Sequence, residues 1–469
     1  MGGDRQISAN KEEICDDIGW EAATAAIFGP VGWLAYREIR SILNNDRNDD
    51  SGGSCRGLLD VIIDGLDGLS ESAREGERSN LETQLERHST PEQMQQVRQD
   101  MARFQERAAR DGLSDAEVAS TYREVSRLLQ DHDGAAIEPE LRARLARQIL
   151  HNAASPYELD QGQHQTCSVS ALSVRLYTLN PSEAARVVAD VATSNDGHFT
   201  TVGGRTVTLD SASLRPDSEA EQEPVPDGKR DYANQILQLA MTNAYWSGRS
   251  SYSEDGTTYT GPFTYVQRHD VTAGDSGEAL LDGSGRRVDG APHIDAAGMA
   301  EVFRDFSRAG ADPFVVIDTG MERSQTSGAR PAGLTAVDSP EALLSVIQAQ
   351  QDGNMPLVVL VHPEREPWNS TGRITVPGQR VESGSGPPRA AAAEAARPRT
   401  DTEPQPRPRP DEPQPQATEI PPHAINIVGC YRDEASGRWM VRTSNQWGEA
   451  SDVTVDLETL YNSMRTGRR

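Results

Sequence analysis

The stretch that most constrains the fold of this chain lies where a polar loop changes directly into an apolar helical pattern. The loop runs from Asp160 to Thr166 and contains a glycine, and Cys167 follows it at once. Apolar residues then recur as they do in a helix, at Val169, Leu172, Val174 and Leu176. A thiol in the first turn of a helix lies near the partial positive charge of the N-terminus, which favours the thiolate. The sequence therefore predicts a helix that begins at a reactive cysteine.

Two motifs far downstream supply the residue types that such a thiol needs. His423 opens an apolar strand pattern that runs to Tyr431, and a second strand pattern covers 439–444. Asn445 follows the second pattern directly, so a hairpin of these strands is predicted to bring His423 and Asn445 side by side. A cysteine, a histidine and an asparagine in this order are the groups that a thiol hydrolase uses as nucleophile, base and orienting residue.

The three motifs together resemble those of the papain-like cysteine peptidases. That family has a Gln-Gly pair whose glutamine stands six positions before the nucleophile, as Gln161 does here. Its histidine opens a buried strand that ends in Val-Gly, which is similar to the stretch from His423 to Gly429. Its asparagine lies in Asn-Ser-Trp-Gly, and the stretch from Asn445 to Gly448 matches that motif at three of four positions. The remainder of the chain resembles the family little, as a divergent bacterial member would.

This resemblance implies a set of catalytic residues and a reaction. The implied catalytic residues are Cys167, His423, Asn445 and Gln161, and the implied supporting residues are Trp447 and Gly162. The first three would act as nucleophile, proton carrier and orienting group, and the glutamine would donate to the oxyanion. The implied reaction is cleavage of a peptide or isopeptide bond in a protein or peptide substrate, without a metal or any other cofactor.

The sequence departs from the family pattern in three ways. Ser168 stands beside the nucleophile, where the family usually has a tryptophan. The family often has a further cysteine a few positions before the nucleophile, which forms a disulfide, and 163–166 contain none. Cys167 and His423 are also much further apart than the roughly 130–150 positions usual in the family, which requires insertions between them.

Other interpretations of the same residues stay open. Gln163 and Gln165 compete with Gln161 for the oxyanion role. The same arrangement also serves acyltransferases and deamidases, including exported effectors, and non-catalytic binding modules. A metal site at His164 and Cys167 is not predicted, because no second pair of ligands accompanies them.

Charge and composition exclude several classes of partner. The formal net charge of -26 argues against nucleic acid or an anionic membrane surface as a partner. The fractions of hydrophobic residues (36%) and aromatic residues (5%) are low, which indicates that part of the chain does not pack into a core. Cys15, Cys55, Cys167 and Cys430 are too few and too scattered for a disulfide framework. The sequence favours no particular oligomeric state.

The predicted fold class is α+β, with a helical N-terminal region followed by a papain-like domain. In that domain, a helical half that carries the nucleophile helix would pack on a small antiparallel β-sheet half. The predicted divisions are a helical segment at 1–70, a helical bundle or accessory region at 71–152 and a catalytic domain at 153–469. A Pro-rich insertion at 377–422, predicted to be disordered, lies inside the catalytic domain and explains part of the extra spacing.

The region 71–152 carries clear helix signals. Helix starts are predicted at Thr90 and Ser114, and a helix stop at Gly112. The helix motif of papain-like prosegments is absent from this region. An accessory or docking role is therefore predicted in preference to an inhibitory one.

The first residues of the sequence bear on where in the cell the protein is expected. The stretch 1–17 is polar and acidic, unlike a signal peptide. The stretch 22–36 is almost uncharged but shorter than the ~20 residues that a spanning helix needs, and Gly29-Pro30 interrupts it. It is interpreted as a buried helical hairpin, with contact to a membrane or partner as the alternative. The expected location is the cytoplasm, or outside the cell after export by a leaderless route.

Overall fold

The structure of the protein is a computed structural model that describes residues 71–254, 256–267, 277–288, 294–307, 312–322, 330–351, 353, 355–368, 422–448 and 451–465. The predicted N-terminal segment at 1–70, with its apolar stretch at 22–36, lies outside the described residues. The same holds for the predicted insertion at 377–422, apart from its last residue. Among the helices that are described, none is long and apolar enough to cross a membrane.

Several of the helices begin or end at residues whose local chemistry caps them. Thr90, the predicted start of the second helix, forms a capping box with Gln93, because each side chain accepts a hydrogen bond from the other residue's backbone. Ser114 caps the next helix, and Gly112 ends the preceding one with a φ of 75°. The described helices are α1 (71–85), α2 (Pro91–Asp111), α3 (Asp115–Leu128), α4 (Pro139–Ala154), α5 (Cys167–Leu179), α6 (Pro181–Thr193), α7 (Tyr232–Ser247), α8 (Ala296–Phe306), α9 (Pro340–Gln350) and α10 (Leu457–Met464).

The N-terminal helices pack directly on the helices that follow them. Helix α3 packs on α6, and α4 contacts both α5 and α6. Arg107 of α2 is buried and donates to the carbonyl oxygens of Ala153, Tyr177 and Thr178 at 2.8, 3.0 and 3.1 Å. These carbonyls lie at the C-terminal ends of α4 and α5, where the helix itself provides no donor. The predicted boundary at residue 152 lies within α4, and the division into accessory and catalytic parts stays a prediction.

The largest described sheet has six strands in the order β12-β11-β10-β9-β7-β8. Strand β10 pairs antiparallel with β9 and β11, and β11 pairs antiparallel with β12. Strand β7, in contrast, is parallel to β8 and β9. These strands are β7 (Val315–Asp318), β8 (Leu334–Val337), β9 (Leu357–Val361), β10 (His423–Arg432), β11 (Trp439–Ser444) and β12 (Thr454–Asp456).

The fold is thus α+β, as predicted, but the prediction of a purely antiparallel sheet is wrong. Helix α9 lies between β8 and β9 in the chain. A helical crossover of this kind returns the chain to the same end of the sheet, so the strands that it connects run parallel.

Three two-stranded antiparallel sheets lie outside the large sheet in the described part of the chain. They pair β1 with β2, β3 with β4 and β5 with β6. Their strands are β1 (His198–Thr200), β2 (Thr206–Thr208), β3 (Ser251–Glu254), β4 (Thr257–Thr260), β5 (Thr264–Gln267) and β6 (Glu278–Leu281).

Helix α5 packs on β10, and this contact sets the position of its first residue. The fully buried Asn426 of β10 donates to the carbonyl oxygen of Ala171 in α5 at 3.1 Å. Asn426 also lies opposite Ser444 in the pairing of β10 with β11, which confirms the predicted hairpin. The start of α5, the start of β10 and the end of β11 therefore lie together.

Candidate active site

Cys167 is the first residue of α5, as predicted, and it is a partly exposed free thiol. Its sulfur accepts backbone hydrogen bonds from Ala424 of β10 and from Ser168 in the first helical turn. The contact with Ala424 is informative, because Ala424 directly follows His423. The structure therefore brings the predicted nucleophile beside the start of the strand that carries the predicted base.

The pKa of the Cys167 thiol differs in direction from the sequence-based expectation. Burial raises this pKa above its ordinary value, and the hydrogen bonds from Ala424 and Ser168 lower it by less. A helix N-terminus stabilises a thiolate only if desolvation of the sulfur costs less than its N–H groups contribute. Here the desolvation is larger, so the resting sulfur carries its proton near neutral pH.

His423 is 4% exposed and forms the predicted pair with Asn445. Its Nε2 lies 2.9 Å from the side-chain oxygen of Asn445. Because that oxygen can only accept, Nε2 carries the hydrogen and Nδ1 is the basic nitrogen of the neutral ring. Burial lowers the pKa of His423 to about 4, which the bond to Asn445 only partly offsets. His423 is therefore in its base form across the neutral range.

The loop after β11 holds both Asn445 and the ring of Trp447, which covers His423. The backbone N–H of Asn445 donates to the Asp452 carboxylate at 2.6 Å, which fixes the loop. The indole of Trp447 stacks on the His423 imidazole, with ring centroids 3.9 Å apart and an interplanar angle of 18°. This stacking screens one face of the imidazole from water and restricts its rotation, as expected of a supporting residue.

Gln161 lies in the loop before α5, and that loop is attached to the asparagine loop. Its backbone N–H donates to the carbonyl oxygen of Gln446 at 2.9 Å. Its side-chain Nε2 donates to the carbonyl oxygen of His164 at 3.0 Å, which leaves the second hydrogen of that amide available to another acceptor. Gln161 is buried, whereas Gln163 is exposed and Gln165 is half-buried. The burial of its side chain favours Gln161 over its two competitors as the ordered donor.

Gly162 is required by the backbone of this loop. Its φ of 66° lies in the left-handed region that side chains other than glycine rarely adopt. A Cβ at this position would also lie 1.8 Å from the Glu219 carboxylate oxygen. That carboxylate accepts from the backbone N–H of Gln163 at 3.2 Å, so any larger residue would displace a group that holds the loop.

A small pocket lies beside the start of α5. Ser168, Val169, Tyr265 and Ile294 contribute to its wall. The Ser168 hydroxyl donates to the Ile294 carbonyl oxygen at 3.0 Å, where the sequence comparison placed a tryptophan in the family. Within the described ranges, no group of three His, Cys, Asp or Glu side chains is arranged to hold a metal ion.

Sequence reasoning missed one buried carboxyl group at the site. Asp160 accepts from the backbone N–H of Gly228 at 2.7 Å and also from the backbone of Gly448, so it joins the Gln161 loop to the asparagine loop. Burial raises its pKa to about 7. Its partners lie far away in the chain, so the only local sign was its place at the start of the loop.

Replacement of Asp160 by asparagine is expected to change how stability depends on pH. Because the pKa of Asp160 rises from 3.8 in the unfolded chain to about 7, its contribution to stability is full below pH 3.8 and is lost as pH rises through 7. Asparagine resembles the protonated carboxyl and does not titrate. Relative to Asp160→Asn, wild-type protein should therefore lose free energy of unfolding between pH 4 and 7, measured by urea denaturation.

The exposed Asp133 provides the matched control for this measurement. The Asp133→Asn variant should follow the wild-type dependence on pH. A difference in the free energy of unfolding between wild type and Asp160→Asn that stays constant with pH would contradict the raised pKa of Asp160.

Comparison with known proteins finds no similar protein for this chain. No protein-family model matches the chain, and neither the curated proteins nor the solved structures contain a match. The interpretation of the site therefore depends on the contacts described above.

Proposed function

We propose that this chain is a papain-like thiol hydrolase that cleaves peptide or isopeptide bonds through Cys167, His423 and Asn445. The observation that carries the proposal is the meeting of three motifs that lie far apart in the chain. The Cys167 sulfur contacts the backbone of Ala424, and the preceding His423 binds Asn445 at 2.9 Å. Burial also fits, because residue Cys167 is partly exposed while His423 and Asn445, which would act behind it, are 4% and 2% exposed.

In the proposed first step, the Cys167 sulfur attacks the carbonyl carbon of the substrate. Its proton passes to the basic Nδ1 of His423, and the carbonyl oxygen becomes an oxyanion. Collapse of this intermediate breaks the C–N bond, forms a thioester and transfers the proton from His423 to the leaving amine. Water then attacks the thioester with His423 again as base, which releases the acid and restores the thiol.

The oxyanion would be stabilised by the backbone N–H of Cys167 and the free amide hydrogen of Gln161. Donors of this kind act mainly in the transition state, where each is typically worth about 2.7–4 kcal/mol. The helix N-terminus adds to them, because the N–H groups of its first turn have no acceptor inside the helix. The anchoring of Gln161 to Gln446 and His164 supports this role, since the donor is then ordered before substrate binds.

Covalent labelling tests the proposal. A peptidyl chloromethyl ketone should alkylate Cys167, with the modified peptide identified by mass spectrometry. Cys430 is buried, with its thiol donating to the Gln351 side-chain oxygen at 3.2 Å, and serves as the internal control that should stay unmodified. Labelling that is slow and equal at both cysteines would contradict the proposal.

The product then identifies the reaction. Incubation with a peptide mixture should generate new N-termini, and these should be absent with Cys167→Ala. Release of ammonia from glutamine peptides without new N-termini would show that the same thiol carries out deamidation.

Asn445→Ala is expected to lower turnover without eliminating it. Loss of one orienting hydrogen bond is worth about 1–3 kcal/mol, which corresponds to roughly ten- to hundredfold in kcat. Alkylation of Cys167 by iodoacetamide should be retained, because both reacting groups remain. A kcat equal to that of wild type would show that Asn445 does not orient the base.

A further inference from the structure

A cluster of buried charged side chains lies behind the loop that precedes Cys167. The His164 imidazole is held between two carboxylates, with Nε2 2.9 Å from Asp217 and Nδ1 3.3 Å from Glu278. The buried guanidinium of Arg230 contacts the same Asp217 carboxylate, and the hydroxyl of Tyr265 donates to Glu278. The side chains of His164, Asp217, Glu278 and Arg230 come from four separate parts of the chain, and all four residues are buried.

This cluster holds the backbone of the loop as well as the His164 side chain. Glu278 accepts from the backbone N–H of Gln165 at 3.0 Å. The carbonyl oxygen of His164 accepts from the Gln161 side chain at 3.0 Å. A displacement of His164 would therefore move the proposed oxyanion donor and the residues that lead into Cys167.

The charges of the cluster balance only if His164 carries a proton. Burial and the nearby Arg230 lower the pKa of His164, but Asp217 and Glu278 raise it by more, so it lies above the ordinary value. The pKa values of Asp217 and Glu278 lie below their ordinary range for the same reason, although burial opposes that shift. Two cations then face two carboxylates, which is the pairing that buried charges need.

We propose that His164 is a positioning residue, which Asp217 and Glu278 hold in place so that Gln161 is presented to the oxyanion. This inference rests on the proposed function. It differs from that function because the role assigned to His164 is to hold Gln161, through the hydrogen bond from the Gln161 side chain to the His164 carbonyl oxygen, and not to take part in the reaction itself. We call His164, Asp217 and Glu278 together the His164 clamp. Loss of this clamp should slow reactions that form an oxyanion and should leave the rates of other reactions unchanged.

Two reagents separate these effects. Acylation of Cys167 by p-nitrophenyl acetate passes through an oxyanion and is followed as a burst of p-nitrophenol, with Cys167→Ala as background. Alkylation by iodoacetamide displaces iodide and forms no oxyanion. In His164→Gln, the acylation rate should fall about ten- to hundredfold, as expected for a displaced donor, while the alkylation rate changes little.

Double substitution tests whether His164 acts through Gln161. If it does, His164→Gln combined with Gln161→Ala should acylate no more slowly than Gln161→Ala alone. Glu278→Gln provides a second route to the same result, because it removes the charge but keeps an acceptor for the Gln165 N–H. It should lower the acylation rate in the same direction if His164→Gln fails to fold.

His151 provides a matched control. It lies between Asp100 and Glu158, with 3.4 Å to each carboxylate. His151→Gln removes a comparable bridge between two carboxylates and should leave the ratio of acylation to alkylation unchanged.

The pH dependence provides a signature that a purely structural role would not give. The charged groups around His164 are Asp217, Glu278 and Arg230, and Tyr265 donates to Glu278. The pKa values of both carboxyl groups lie below their ordinary range, so these groups stay ionised while His164 loses its proton. Because its pKa is raised from 6.5, the clamp should be complete below pH 6.5 and weaken as pH rises through the higher value. The ratio of acylation to alkylation should fall over that range in wild type and stay flat in His164→Gln.

The following outcomes decide the inference. A selective loss of acylation that does not add to Gln161→Ala supports it. Equal loss of acylation and alkylation, additive losses or wild-type acylation in His164→Gln and Glu278→Gln would overturn it. A wild-type protein without a Cys167-dependent burst would overturn the proposed function, and this inference with it.

Discussion

Replacement of Cys167 by alanine is expected to lower the rate of hydrolysis by a factor on the order of 10⁶, to the level without a nucleophile. No other described thiol can replace it at this position, because Cys430 is buried in β10. The fold should be retained, since Cys167 is partly exposed and alanine is a good residue for the first turn of a helix. Peptide cleavage and the thermal melting temperature measure the two effects.

Cys430→Ala is the matched control, with the opposite expected outcome. Its sulfur is buried and hydrogen-bonded to Gln351, so the substitution should cost stability and leave activity intact. Full activity of Cys167→Ala would contradict the proposed nucleophile. The search would then turn to Cys430 and to Cys15 and Cys55, which lie outside the described residues.

His423→Ala should have the second largest effect, with kcat lowered about 10⁴-fold or more. The substitution removes the acceptor of the thiol proton and the donor to the leaving amine together. It should change KM little, because a residue that is 4% exposed contributes little to substrate binding. The comparison with Asn445→Ala is essential, since that variant removes only the bond that orients the ring.

The pH profile of the proposed activity in wild-type protein provides a further test of this residue. Because burial lowers the pKa of His423 to about 4, kcat/KM should stay high through the weakly acidic range and fall only near pH 4, where the base becomes protonated. A fall centred near pH 6.5 would mean that the imidazole is solvated and that the buried arrangement does not describe the form of the protein that carries out the reaction.

The parts of the site that sequence predicted correctly depend on local signals. The Cys167 helix start follows from the change of a polar loop into apolar helical spacing, and the Thr90 cap follows from its own neighbours. The hairpin of β10 and β11 follows from two apolar runs joined by a polar turn, which places His423 near Asn445. Such signals need no knowledge of what packs on the segment.

The features of the fold and of the site that were not predicted from sequence depend on contacts between distant segments. The parallel pairing of β7 with β8 and β9 is set by how a crossover folds back, which no single strand sequence encodes. The His164 clamp joins residues that lie far apart in the chain, such as Gln165 and Glu278, which are 113 positions apart. The direction of the Cys167 pKa was also mistaken, because burial of the sulfur is a property of the assembled core and outweighs the helix N-terminus.

The packing of the N-terminal helices also depends on contacts with distant segments, which the sequence did not reveal. The sequence indicates amphipathic helices in 71–152 but not what covers their apolar faces. The structure shows that the face of α2 that carries Arg107 packs on α5, because the guanidinium of Arg107 is buried against the carbonyl groups at the end of α5. The sequence pattern did not reveal this contact. A charged residue in a helix normally indicates a solvated face, and only the partner carbonyls make its burial tolerable.

The most direct test of His423 as the base of Cys167 is the pH dependence of iodoacetamide alkylation at Cys167 in wild type, Asn445→Ala and His423→Ala. In the first two proteins, His423 can accept the thiol proton, so alkylation should already proceed at neutral pH. In His423→Ala only the free thiolate reacts, and because burial raises the thiol pKa above 9.0, alkylation should become appreciable only in the alkaline range. An unchanged profile in His423→Ala would show that His423 does not serve Cys167 and that the proposed thiol hydrolase site is wrong.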